Sequence, residues 1–381
     1  MDLDFTWEQQ EFRRQVARFA QERVAPLAEE MEQTGAPSKA LIREMGELGF
    51  LGVKFPEEYG GAGVAEPHVY HCILVEELAR VCSGFSAAVS MTTSVPLVSV
   101  HKFGSEELRQ KYLVPAIRGE LVGAFSLTEP ESGSDAASIR TRAVRDGDNY
   151  VLNGTKIFTT NGTIADFFTV CAKTNPEKGM AGISTFLVEA DTPGFKVARK
   201  LEKFTTHSSD TTELVFDNVV VPAGNRLGDE DKGLLNLLGC LEEDRIMTAA
   251  LSLGLAKAAY EAALQYSKER KQFGKEISKF QAIRFRLADM LALLEVSELY
   301  MYYAARKADK GEKVAKECAL SKIVVCENAN KICAMALSIL GGYGLMTEFP
   351  VERYLRDSYF PLIGGGTPDI MRVVVAREIG V

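Results

Sequence analysis

The period of the apolar positions changes twice along the chain. Near the start, "EQQEFRRQVARFAQERVAPLAEEME" places Phe12, Val16 and Phe19 at i, i+4 and i+7 with charges between them, which predicts an amphipathic helix. Thr6 and Gln9 stand at capping-box spacing at its beginning. "EPHVYHCILVEELARVCS" predicts a further helix, and "GFLGVKFPEEYGGAGV", broken by Pro56, Gly60, Gly61 and Gly63, predicts a loop. From about residue 121 the apolar runs become short, β-branched and aromatic: "YVLNGTKIFTTN", "DFFTVCAKT", "GISTFLVEA" and "TELVFDNVVVP". Turn pairs such as Asp146-Gly147 and Asn153-Gly154 punctuate this region, which predicts an antiparallel sheet. From about residue 232 the helical period returns. It persists through "DRIMTAALSLGLAKAAYEAALQYSKER", "QAIRFRLADMLALLEVSELYMYYAARKADKG" and "CALSKIVVCENANKICAMALSILGG", the last ending on a glycine stop. The expected organisation is α+β: a helical domain over 1–120, a β domain over 121–230 and a C-terminal helical domain over 231–381.

Composition narrows the partners more than the fold. The 381 residues are 46% hydrophobic and 25% charged, and the net charge of −8 argues against nucleic acid or an anionic membrane as the main partner. No uninterrupted run of 18 apolar residues suggests a membrane span, and "MDLDFTWEQQEFRRQV" has no secretory-signal pattern. Seven cysteines, an odd number without a CxxC pair, suggest free thiols in a reducing cytoplasm. The four histidines include His68 and His71 three apart, but no cluster with metal-ligand spacing accompanies them, so no metal is expected.

Several standard chemistries lack their motifs. No G-x-G-x-x-G follows a strand, and no G-x-S-x-G is present. "GDEDKGLL" has the glycine spacing of a phosphate loop, but Leu234 stands where lysine is needed. Near the C-terminus, Gly364-Gly365-Gly366-Thr367 taken alone reads as a tight turn or a close backbone approach.

Six separated stretches supply the missing context. They are "FSLTEPESGSD" (125–135), "YVLNGTKIFTTNG" (150–162), "SSDTTELVFDNVVVP" (208–222), "ERKQFGKEISKFQ" (269–281), "LGGYGLMTEFPVERYLRD" (340–357) and "GGGTPDIM" (364–371). In this order and spacing they closely resemble the acyl-CoA dehydrogenases over essentially the whole chain. The resemblance implies a helical domain, an antiparallel β domain and a C-terminal four-helix bundle. It also implies FAD held without a Rossmann fold, an acyl-CoA substrate, electron-transfer flavoprotein as acceptor, and a homotetramer.

Position by position, it implies that Phe125, Leu127, Thr128, Gly133 and Ser134 line the flavin and its pyrophosphate, Ser134 also meeting substrate. Phe158 and Thr160 would pack on the ring, with Phe158 in place of a frequent tryptophan. Arg270, Gln272 and Phe273 would reach a neighbouring subunit's FAD, where a guanidinium can fork onto pyrophosphate. Gln281, Gly341, Gly342, Thr367 and Asp369 fall at other FAD-contact positions, and Ser338 replaces a frequent glutamine. Leu241, Glu242, Arg245 and Gly366 fall on the substrate side.

The base is where this chain departs from many relatives. Where medium- and short-chain members carry the glutamate that removes the α-proton, this chain has Gly365. Gly365 keeps only its N–H, which in the family helps hold the thioester oxygen. Isovaleryl- and long-chain-type members place glutamate before an arginine in the first bundle helix. In "CLEEDRIM" that arginine is Arg245 and the residue before it is Asp244, one methylene shorter, or roughly 1.5 Å less in reach. Three readings stay open. Asp244 is the base, with a bulkier or α-substituted acyl group filling the extra space. Alternatively Glu243 or another acid serves, although Glu243 lies about 100° around the helix from Asp244. In the third, ordinary α,β-dehydrogenation is lost. An acyl-CoA oxidase, a nitroalkane-oxidase-like enzyme and a non-enzymatic FAD-binding protein are the rival functions. No arginine lies between Ser83 and Val95, which argues against a dicarboxylic substrate.

Overall fold

The computed structural model describes residues 4–381. Helix α1 (Trp7–Phe19) begins at a capping box: Thr6 Oγ1 accepts from the Gln9 N–H and Gln9 Oε1 accepts from the Thr6 N–H. Val16 and Phe19 are buried, as their spacing predicts. Helices α2 (Pro67–Ala79), α3 (Ser83–Thr93) and α4 (Val95–Phe103) are apolar on nearly all sides and buried accordingly. Between α3 and α4 the chain breaks at Ser94, whose φ of −89° and ψ of −113° fit no helix, and Pro96 opens α4.

Eight strands follow: β1 (Gly123–Ser126), β2 (Arg142–Asp146), β3 (Asn149–Thr160), β4 (Phe167–Lys173), β5 (Ile183–Glu189), β6 (Phe195–Lys200), β7 (Thr211–Pro222) and β8 (Arg226–Leu227). The order is β6-β7-β3-β2-β4-β5-β8, with β1 also paired to β4. Most pairs are antiparallel. The expected purely antiparallel sheet needs one correction, because β1 pairs with β4 in parallel (Gly123 opposite Phe167) and β2 touches β4 in parallel through Arg142 and Lys173. The cause is the long excursion between β1 and β4, which lets the chain re-enter in the same direction where a tight turn could not.

The C-terminal bundle contains α5 (Gly233–Glu269), α6 (Gln281–Asp309), α7 (Ala315–Leu340) and the short α8 (Pro368–Glu378), all of which pack on one another through α5 or α7. Residues 315–345 are long and apolar enough to cross a membrane, unlike the expectation from uninterrupted apolar runs. In the fold α7 is a central bundle helix packed against α5, α6 and α8, and that packing accounts for its composition. Gly254 lets α5 lie against α2, since a Cβ there would collide with the Glu76 carbonyl oxygen. The four-residue stretch Gly364–Thr367 is the turn into α8. Gly365 and Gly366 have φ of +66° and +93°, and Thr367 caps α8 by accepting from the Ile370 N–H.

One buried ion pair fixes the segment after β1. Lys156 Nζ donates to the Leu127 carbonyl at 2.9 Å and to Glu129 Oε1 at 2.7 Å. The Glu129 carboxylate also accepts from the backbone N–H groups of Arg140 and Thr141. Removing one partner strands a charge away from water. Lys156→Met is therefore expected to cost about 3–5 kcal/mol of stability, measured by urea unfolding of the FAD-loaded protein.

Candidate active site

Asp244 sits about three turns into α5. Part of the residue is open, but protein atoms surround its carboxyl, and that burial pushes its pKa up. The Lys322 ammonium on α7 and the Ser94 hydroxyl pull it partly back. The Ser94 hydroxyl is buried beside this carboxyl and makes no hydrogen bond of standard geometry. Gly365 lies directly across. A Cβ built on it would stand 3.4 Å from Asp244 Oδ2, 3.3 Å from Lys322 Nζ and 3.4 Å from Thr248 Oγ1. The carboxylate from α5 thus borders the space that a side chain at 365 would enter. Thr248 donates to the Asp244 carbonyl one turn back.

Lys322 is 1% exposed, and its ammonium donates to the carbonyls of Gly364 and Gly366, the latter at 2.5 Å. Burial lowers its pKa to about 8. Sequence reasoning missed it. The available signal was a lone lysine in "CALSKIVVC", on the face that carries the buried Cys318, Val325 and Cys326.

Glu243 turns the other way. Its carboxylate meets Lys54 at 3.0 Å, His68 Nε2 at 3.2 Å and Lys102 at 2.5 Å. Burial works to raise its pKa, but these three neighbours outweigh it and hold the carboxyl far below the usual range. His68 also bonds Asp309 through Nδ1 at 2.7 Å. The structure brings Asp244, not Glu243, to Gly365.

Leu241 packs with Phe125 and Leu127 against one core cluster. Glu242 and Arg245 are half-buried on the same turn of α5 as Asp244. Burial raises the Glu242 pKa against the pull of Arg245, and burial lowers that of Arg245. The end of β1 and the middle of β3 are stitched together: Ile157 N–H donates to Thr128 O at 2.9 Å, and the Ser126 and Thr159 hydroxyls lie 3.0 Å apart. A register shift between Lys156 and Thr159 throws Phe158 outward at φ 60° and 64% exposed, while Thr160 stays buried. Gly133 and Ser134 lie in the exposed loop beyond Glu129.

The remaining candidate positions cluster elsewhere. At the far end of α5 a cleft of about 580 Å³ is lined by Arg270, Gln272, Gly341, Gly342 and the rings of Tyr266 and Tyr343. The Arg270 guanidinium lies 5.5 Å from the Tyr343 ring centroid. Phe273 is 93% exposed at φ 51°, and Gln281 begins α6, also exposed. Ser338 donates to its own helix at Ala334 O, and Asp369 pairs with Arg372 on α8. Along a helix, 26 residues separate Asp244 from Arg270 by about 39 Å. One chain therefore carries two separate groups of these positions.

Comparison with known proteins gives a consistent picture. The chain matches the acyl-CoA dehydrogenase N-terminal domain over 6–120, the middle domain over 124–219 and the C-terminal domain over 231–380. It is 41% identical to a benzylmalonyl-CoA dehydrogenase of Aromatoleum aromaticum, with all of both chains covered. Butyryl-CoA dehydrogenase from Megasphaera elsdenii superposes with a TM-score of 0.97 at 40% identity over the whole of both chains. A chain from a structure of the electron transferring flavoprotein of Acidaminococcus fermentans, described in terms of flavin-based electron bifurcation, superposes with a TM-score of 0.97 at 41% identity, again over both full chains.

The cluster around Glu243 makes stability depend on pH through His68. Burial alone would lower its pKa, but hydrogen bonds to Asp309 and Glu243 raise it above 6.5. A raised histidine pKa adds stability below the unfolded value, and that contribution is lost as pH rises through the folded value. The stability lost in His68→Asn is therefore expected to be larger at acidic pH than at alkaline pH, as read by melting temperature across the range.

Proposed function

Because the chain belongs to the acyl-CoA dehydrogenase family, an FAD-dependent oxidoreductase family acting on CH–CH groups, we propose that it oxidises an acyl-CoA with Asp244 as the α-proton acceptor. The single observation that carries this reading is the apposition of the Asp244 carboxylate and Gly365, with 3.4 Å between Oδ2 and the Cβ position. The carboxyl removes the proton next to the thioester carbonyl. The Gly365 N–H donates to the thioester oxygen and stabilises the negative charge that develops there. The raised pKa of Asp244 suits it to accept a proton near neutral pH.

The residues fit FAD. The exposed Phe158 ring offers a face for a flat ring system beside the buried Thr160. The open backbone of Gly341 and Gly342 next to the Arg270 guanidinium suits a pyrophosphate. When bound, FAD supplies the acceptor for the β-hydride. The roughly 39 Å between Asp244 and Arg270 along α5 is more than one dinucleotide spans, so the cleft at Arg270 serves a second chain's cofactor. This supports a homo-oligomer, a tetramer in the reading offered here. Electron-transfer flavoprotein is the proposed acceptor. The solved structure whose subject is that flavoprotein and whose chain this one resembles supports the choice.

For the substrate, the reading is a branched or cyclic acyl group, such as cyclohexanecarboxyl-CoA or a 2-methyl-branched acyl-CoA. The shorter reach of aspartate leaves room beside the α-carbon. The relative named for benzylmalonyl-CoA, a thioester substituted at that carbon, lends support.

Asp244→Ala is expected to lower anaerobic flavin reduction by about 10²–10⁴-fold and to abolish α-proton exchange, with FAD still bound. In the unsubstituted enzyme the rate should rise with pH through a midpoint above the ordinary aspartate range. Exchange undiminished in Asp244→Ala would assign the base elsewhere. In a stopped-flow panel, cyclic and α-branched acyl-CoAs should bleach the flavin faster than straight C4–C8 chains, and clear preference for butyryl- or octanoyl-CoA would reject the substrate reading.

A further inference from the structure

We propose that Lys322 is the positioning residue that ties the two halves of this site together. Its ammonium grips the carbonyls on either side of Gly365 and supplies the positive charge against which Asp244 ionises. The inference rests on the reading of Asp244 as the base.

The geometry is specific. Gly364 and Gly366 both direct their carbonyls at the same Nζ, so the peptide between them can turn only about that clamp. The clamped residue is Gly365, whose N–H is the proposed donor to the thioester oxygen. Two glycines with positive φ make the turn soft on their own, since glycine samples that region freely. A cationic donor that bonds the carbonyls on both sides of Gly365 removes this freedom. The same Nζ stands 3.3 Å from the Gly365 Cβ position, while Asp244 Oδ2 stands 3.4 Å from it on another side. Lys322 and Asp244 make no direct ion pair within 4.0 Å among the described residues. The lysine therefore acts on the carboxylate through space and leaves its oxygens free to take a proton.

The surrounding charges leave Lys322 as the main partner. Asp244 faces Lys322 from α7, Ser94 from the α3–α4 break, Lys54 from the loop before α2, and Arg245 on its own helix. Lys54 is already engaged by Glu243 at 3.0 Å. Lys322 in turn faces Asp244 and Arg245 from α5 and Cys326 one turn along α7. A buried lysine that only staples a loop is the plain alternative. It differs in one respect, because a staple needs donors and not a charge.

The test uses Lys322→Gln, which keeps hydrogen-bond donors and removes the charge, alongside Lys322→Met, which removes both. Both are studied as FAD-loaded enzyme with a bleaching acyl-CoA. Loss of the charge should move the acidic midpoint of flavin reduction upward by about one pH unit, which is a tenfold slower rate below both midpoints. Lys322→Met should in addition weaken α-proton exchange at saturating pH, because Gly365 is no longer aimed. An unchanged midpoint in Lys322→Gln overturns the inference. If neither variant holds FAD, Lys322→Arg, which keeps the charge and the donors to the Gly364 and Gly366 carbonyls, decides: its acidic midpoint should match that of the unsubstituted enzyme, and a midpoint moved upward overturns the proposal. Abolished exchange in Asp244→Ala together with an unmoved Lys322→Gln midpoint sinks only this inference. Exchange that survives Asp244→Ala sinks the base assignment beneath it.

Discussion

The backbone approach of α2 to α5 at Gly254 constrains everything around the site. With no side chain there, the two helices lie close enough that the Glu76 carbonyl occupies the place of a Cβ. Around that contact a buried polar network closes. Lys257 from α5 meets Glu76 at 2.6 Å, and Tyr302 from α6 donates to the same carboxylate at 2.5 Å. The N-terminal helices are thereby held in a fixed position against the bundle. That position delivers Ser94, His68, Lys54 and Lys102 to the two faces of one short stretch of α5.

The consequence is two adjacent acids in opposite electrostatic settings. Glu243 points at three cationic groups and stays ionised despite its burial. Asp244, about 100° around the helix, faces one lysine and one hydroxyl, and burial raises its pKa against their pull. An acid locked in ion pairs has its oxygens occupied, whereas one held near a charge without touching it keeps a free lone pair. Helical geometry alone separates these environments, and no change of residue type beyond one methylene is needed.

The period of the apolar positions carried the order of helical, β and helical regions, and the spacing of Thr6 and Gln9 carried the first cap. It did not carry the parallel pairing of β1 with β4, because strand direction depends on where a long connection returns and not on the residues within the strands. At the site, the family resemblance pointed to Asp244 and Gly365, and the structure puts them face to face. Lys322 and Ser94 stayed hidden for a physical reason: they come from α7 and from a break between α3 and α4, and only tertiary packing brings them near residue 244. The division of the cofactor positions into two groups was equally invisible as spacing, since it follows from the unbroken length of α5.

The backward-turned conformation of Gly365 has an evolutionary consequence. Any other L-residue at that point would hold a left-handed backbone at a cost of about 1–2 kcal/mol. An acid introduced there would also set a second carboxylate beside Asp244, and two carboxylates so near to each other compete for a single proton. The scaffold accordingly offers two seats and tolerates one occupant. A lineage that shifts its acid from one seat to the other has to vacate the first, so substitutions at 244 and 365 are bound to travel together.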